Sequence, residues 1–171
     1  MKTVNWGIVG CGDVCERKSG PPMYKTAHSA LVAVMRRDAE KAADFARRHN
    51  VAKSYTDAAA LIADPEVDIV VETIGGTRFA YPYVKACLES GRSVCTSNKE
   101  MVATYGAELL GLAKEHGCAF LFEASVGGGT PIITPMHQCL AANVITEVEG
   151  IVNGTTNFML TKMVRENLGF D

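Results

Sequence analysis

Short apolar runs alternate with amphipathic stretches along most of the chain. Val4–Val9 is an apolar run ending in glycine, Leu31–Met35 is a second, and Lys53–Tyr55 is a short third. Val67–Val71 is an apolar run broken only by Asp68, as expected of a strand buried on both faces. Ser93–Thr96 and Cys118–Phe122 complete a set of six predicted strands. Between them, Asp38–His49 places Ala42, Phe45 and Ala46 on one helical face. Asp57–Ala63 is a short helix stopped by Asp64-Pro65, Phe79–Glu89 ends at Gly91, and Lys99–His116 is closed by Gly117. This β-α-β-α order predicts an α/β fold, a doubly wound parallel sheet with helices on both sides. Beyond Ser125 the pattern changes. A glycine turn leads into a short helix, Ile132–Ala141, then a strand with one covered face, Val144–Val152, and a helix over Asn157–Asn167 capped by the preceding turn. These pieces cannot close a second core, so residues 1–124 read as one domain and 125–171 as an incomplete α+β substrate or dimerisation domain.

The first turn carries the first chemistry. Gly10, Cys11, Gly12, Asp13 and Val14, followed by Cys15, spell G-x-G-x-x-C directly after the opening strand. There the first glycine permits a tight turn. The second lets backbone N–H groups approach a pyrophosphate at the positive end of the next helix. The third position is normally small, so Cys15 predicts looser packing, and Ser19-Gly20-Pro21-Pro22 predicts an interruption of the helix. Strand two ends in Arg36 and Arg37, followed by Asp38. Arginine at that position suits the 2′-phosphate of NADP, whereas an acid suits the ribose of NAD; NADP is preferred, with Asp38 keeping NAD open. Ile74, Gly75 and Gly76 follow strand four, where the backbone comes close to the nicotinamide ribose. Lys99 follows strand five and opens a helix, where a cation opposes the dipole; its ammonium is placed to stabilise alkoxide charge or relay a proton.

Composition narrows the field. Of 171 residues, 17 are basic and 19 acidic, a net charge of −2, with no basic tract to engage nucleic acid. No apolar run is long enough to span a bilayer, and the start is not a signal-peptide core. The six cysteines form no C-x-x-C pair and read as reduced thiols of a cytoplasmic protein. The four histidines read as surface or loop residues.

Four ordered motifs then carry a resemblance: Val70–Gly76, Thr96-Ser97-Asn98-Lys99-Glu100, Phe122–Ile133 with its Val126-Gly127-Gly128-Gly129-Thr130-Pro131 core, and Gly150–Leu160 with Asn153-Gly154-Thr155-Thr156. From about residue 67 onward the chain resembles homoserine dehydrogenase. Residues 1–70, through Gly10–Val14, Lys18–Pro21 and Val34–Ala42, resemble the glucose–fructose oxidoreductase and inositol dehydrogenase family, with a seam near Asp64–Val70. Of that second family's Glu-Lys-Pro motif, only Lys99 is present.

The first resemblance implies NAD(P)-dependent interconversion of L-homoserine and L-aspartate 4-semialdehyde, a step of amino-acid biosynthesis towards threonine and methionine, by a homodimer acting on a small-molecule substrate. It implies Lys99 beside nicotinamide and substrate, Thr155 on the substrate side, and a monovalent cation such as Na+ at Glu123, Val126, Gly128 and Thr130. A plain glycine turn joining two domains accounts for that last stretch equally well. The family's Gly-Tyr-Ala-Glu stretch and catalytic Asp–Lys pair lie beyond Asp171, so the chain reads as a truncated or chimeric enzyme. A sugar- or polyol-type oxidoreductase and a nucleotide-binding module without catalysis are the alternatives.

Overall fold

The computed structural model describes residues 2–169. Six strands form: β1 (Val4–Val9), β2 (Ser29–Met35), β3 (Lys53–Tyr55), β4 (Ile69–Glu72), β5 (Ser93–Thr96) and β6 (Phe120–Leu121). They make one sheet in the order β3-β2-β1-β4-β5-β6, every pair parallel. The chain runs outward from β1 to β3, then crosses back to lay β4 on the other side of β1. The carboxyl ends of β1 and β4 therefore part at a switch point, which opens a crevice.

Alternate residues of the central strands feed two cores. Val9, Ala33, Met35, Val70 and Val94 face α3 (Ala58–Ala63), α4 (Ala80–Glu89) and α5 (Lys99–Glu115), through Leu61, Val84, Leu88, Met101 and Leu109. Ile8, Val34 and Val71 face Cys15 and α2 (Ala39–Arg48), through Phe45 and Ala46. Each fully buried large side chain is worth about 1.5–3 kcal/mol. Losing register on β1 would expose both cores at once, so the two-sided pattern fixes the crevice where it lies.

The expected interruption after the first turn is a wide turn rather than a break. Cys15–Ser19 form a π-helical turn in which Gly20 N donates to Cys15 O, and α1 (Gly20–Lys25) continues with Pro21 and Pro22 in its opening turn. A β-carbon at Gly20 would collide with that carbonyl oxygen, so the close approach requires glycine. The looser packing expected at Cys15 is absent: the residue is fully buried, its Sγ 3.4 Å from Thr73 Oγ1. The widened turn is tied to α2 by charge. Glu16 accepts two hydrogen bonds from Arg48, both 2.6 Å, and its carboxylate lies 2.7 Å from His49 Nε2. His49 is therefore no surface histidine. Its ring stacks on Phe45 with centroids 4.2 Å apart, and its Nδ1 lies 3.1 Å from the Tyr24 hydroxyl.

Past β6 the structure departs from the sequence expectation. A 3-10 turn, Glu123–Ser125, leads to α6 (Ile133–Cys139), and α7 (Gly154–Glu166) begins three residues earlier than expected because Asn153 Oδ1 caps it at Thr156 N, 2.9 Å away. The strand expected over Val144–Val152 does not form. A strand needs a partner for its N–H and C=O groups, and none lies beside it among the described residues. Val144 is 90% exposed and Ile151 75%.

The pairing with Arg48, and after it with His49, holds the Glu16 carboxyl down at about 2 against an ordinary 4.5. A depressed carboxyl stabilises the fold above its ordinary value, and the stabilisation is lost as pH falls through the folded value. Acid unfolding followed by circular dichroism should show stability declining from pH 4.5 towards 2. The decline should be shallower in Glu16→Gln; identical acid profiles would show that the pair does not hold the turn.

Candidate functional site

The crevice floor is built where β1 and β4 end. Gly10 adopts φ +94°, and a β-carbon there would stand 2.6 Å from Ile74 Cγ1, so the two loops approach more closely than any other residue allows. Gly10 N and Cys11 N both donate to Met35 O, at 3.0 and 3.1 Å. That leaves the next amides, Gly12, Asp13 and Val14, without a partner among the described residues. They open the helical run that continues through the π turn and carry its positive end. Burial, then the neighbouring Cys15, push the Cys11 thiol up to about 11. The loop therefore presents no thiolate to an anion at neutral pH.

The end of β2 forms one wall. Arg36 N donates to Tyr55 O, and its guanidinium reaches Cys11 O at 3.4 Å. Arg37 stacks over the Phe79 ring, 5.0 Å from its centroid. Asp38, which the sequence left available for a ribose, is committed elsewhere. It caps α2 through Lys41 N at 3.1 Å and pairs with the Lys41 ammonium at 3.3 Å. Together Gly10, Cys11, Gly12, Arg36, Arg37 and Ile74 line a cleft of about 290 Å³. Met35, Thr73, Phe79 and Tyr83 line it too, although no sequence feature singled them out.

The other wall depends on Glu72, the last residue of β4, only 2% exposed. Its Oε1 accepts from Ile74 N at 2.6 Å and Gly75 N at 3.0 Å, and its Oε2 accepts from Thr96 Oγ1 at 2.6 Å. Thr96 Oγ1 in turn accepts from Asn98 N at 3.0 Å. Asn98 closes the circuit: Nδ2 donates to Gly76 O at 2.5 Å, and Oδ1 caps α5 at Met101 N, 3.1 Å away. Three side chains, Glu72, Thr96 and Asn98, thus lock the Ile74–Gly76 loop to the start of α5. Lys99, the first residue of α5, stands exposed beside this lock, with no ion pair among the described residues. It does not line the cleft itself.

The remaining candidates are not gathered with these. Thr155 is exposed in the first turn of α7. The Glu123 carboxylate caps α6: it accepts from Ile132 N, from Ile133 N at 2.7 Å, and from Thr134 N and Oγ1 at 2.9 and 2.7 Å. These bonds, that of the Thr134 hydroxyl foremost, hold the Glu123 carboxyl down at about 2. The carboxylate thereby anchors the start of α6.

A parallel 3-2-1-4-5-6 sheet with unpaired helix-opening amides at its switch point defines a dinucleotide-binding Rossmann domain. Comparison with known proteins carries this further. The family model "Homoserine dehydrogenase, NAD binding domain" matches residues 11–123, and the model "Homoserine dehydrogenase" matches 131–171. The homoserine dehydrogenase of Bacillus subtilis is 49% identical over 111 residues, covering 65% of this chain and 26% of that protein. That of Synechocystis is 35% identical over 179 aligned residues, covering 99% of this chain and 40% of that protein. The crystal structure of a homoserine dehydrogenase from Thiobacillus denitrificans superposes with a TM-score of 0.78 at 34% identity, over 100% of this chain and 41% of that one. The chain belongs to the homoserine dehydrogenase family and spans about two fifths of the length of these last two relatives. The match runs through the expected seam near Asp64–Val70, so the likeness of the first seventy residues to sugar and polyol oxidoreductases is one of nucleotide-binding fold.

Replacing Glu72 by glutamine turns the acceptor facing Thr96 into a donor and removes the charge that strengthens the bonds from Ile74 and Gly75. Urea unfolding should show a loss of about 1–3 kcal/mol. A Glu72→Gln protein as stable as its parent would mean that the carboxylate does not hold the loop.

Proposed function

We propose that the chain is the nucleotide-binding part of an NADP-preferring homoserine dehydrogenase. In this reading residues 1–124 bind the dinucleotide, and 125–171 begin the substrate and dimerisation part of a cytoplasmic homodimer. The observation that carries it is the set of amides at Gly12, Asp13 and Val14, unpartnered among the described residues, of which Gly12 lines a cleft walled by arginine. The pyrophosphate would sit on those amides, at the positive end of the helical run. Arg36 and Arg37 would take the 2′-phosphate, while Asp38 caps α2 and pairs with Lys41. The Ile74–Gly76 loop would carry the nicotinamide ribose against its backbone.

When bound, the nicotinamide supplies or accepts the hydride. The chain's own contribution is positional and electrostatic. Glu72 and Asn98 fix where Lys99 begins α5, and its ammonium would meet the substrate oxygen as charge develops there, or pass a proton to it. The substrate pair is L-homoserine and L-aspartate 4-semialdehyde, with Thr155 on the substrate side. The exposed apolar residues Val144, Val148 and Ile151 would be covered where protomers or further substrate-domain elements meet them. A monovalent cation such as Na+ would be held at Glu123, Val126, Gly128 and Thr130.

Fluorescence titration of the chain with NADPH and NADH, followed by aspartate semialdehyde, separates binding from turnover. Saturable binding with NADPH tighter than NADH is expected, and failure to bind either would remove the reading. Where turnover is measured, Lys99→Met should lower kcat by about 10²–10⁴ and leave NADPH affinity within about twofold. Equal losses in both would place Lys99 in binding rather than chemistry.

A further inference from the structure

Arg78 is absent from the sequence signals that mark the nucleotide cleft, yet the fold sets its guanidinium against Phe79, which lines that cleft. It lies in the turn between the Ile74–Gly76 loop and α4, across the crevice from the end of β2. Its guanidinium carbon stands over the Phe79 ring, 5.1 Å from the centroid, while that of Arg37 stands over the same ring at 5.0 Å. Phe79 is 39% exposed and lines the cleft with Arg36 and Arg37. One aromatic ring therefore gathers two guanidinium groups from opposite walls, with a third, Arg36, on the wall beside them.

This arrangement has a charge balance that calls for an anion. Among the described residues, none of the three arginines forms an ion pair, whereas Arg47 and Arg48 on the neighbouring helix do. The carboxylate that follows Arg37 directly, Asp38, is held by Lys41. Stacking on Phe79 offsets part of the mutual repulsion but satisfies few of the planar N–H donors. Guanidinium forks match phosphate oxygens better than any other side chain does.

We propose that Arg78 and Phe79 complete a 2′-phosphate subsite with Arg36 and Arg37, and that Arg78 is a specificity-determining residue for NADP over NAD. The inference rests on the nucleotide-binding reading given above and extends it to the β4–α4 turn. Phe79 orients both guanidinium groups. Arg78 supplies charge from the wall opposite β2, so the phosphate is clasped from two sides rather than bound at one strand end.

The test is the ratio of affinities. NADPH, NADH, 2′,5′-ADP and 5′-AMP are titrated against the full chain and against Arg78→Ala, with circular dichroism and thermal midpoints confirming that this exposed substitution leaves the fold intact. Loss of one charge-assisted phosphate contact should weaken NADPH and 2′,5′-ADP by about tenfold and NADH and 5′-AMP by less than about twofold. Arg78→Lys should recover part of the loss, because the charge returns without the fork. If the parent chain prefers NADPH and Arg78→Ala leaves the NADPH-to-NADH ratio unchanged, or weakens all four ligands alike, the subsite assignment is wrong while the nucleotide-binding reading stands. If the parent chain binds none of the four, both fall together.

Discussion

A carboxylate buried at the end of a parallel strand is costly unless both its oxygens accept hydrogen bonds. Glu72 meets that condition with two backbone N–H groups of the following loop and a hydroxyl from the next strand. The same bonds that make its burial tolerable dictate the path of Ile74–Gly76 and the spacing of β4 from β5. Asn98 transmits the constraint by reaching back to Gly76 while capping α5. Ile74, so placed, comes close enough to the first turn that Gly10 admits no side chain. Both lips of the crevice are thus set from one buried group, and Lys99 inherits its position as the residue after the cap.

Three arginines gather at the crevice although the chain carries a net charge of −2. Two of the acids near it are paired, Asp38 with Lys41 and Glu16 with Arg48 and His49, while Asp13 sits in the glycine loop itself. The thiol of Cys11 is held neutral by burial. What remains facing the cleft is the amino end of a helical run and a group of unpaired arginines, and low-dielectric walls focus such a field on an incoming anion. Local arrangement, not overall charge, decides what the site attracts.

Much of this was legible in the residues. The short, β-branched apolar run Ile69–Val71 reads as a buried strand, and glycine after β1 together with arginine after β2 points to the same crevice. Glu72 was not legible as a hub, because a single acid closing an apolar strand looks the same whether it faces solvent or a circuit of donors. Phe79 and Arg78 were hidden because their meaning is a three-dimensional stacking across the crevice, with no sequence period. His49 misled for the opposite reason: a polar residue at a helix end is usually exposed, and here the π turn brings Glu16 over it. The strand expected over Val144–Val152 failed because alternation describes a face that needs covering and does not supply the cover.

The central claim is that an anionic dinucleotide rests on the amides of Gly12–Val14 between the loops ending β1, β2 and β4. Amide hydrogen exchange of the full chain with and without NADPH tests it residue by residue. Slowed exchange confined to 12–14, 36–38 and 74–79, with 144–166 unchanged, is the outcome this account requires. Protection that falls elsewhere, or leaves Gly12–Val14 exchanging as freely as before, would contradict it.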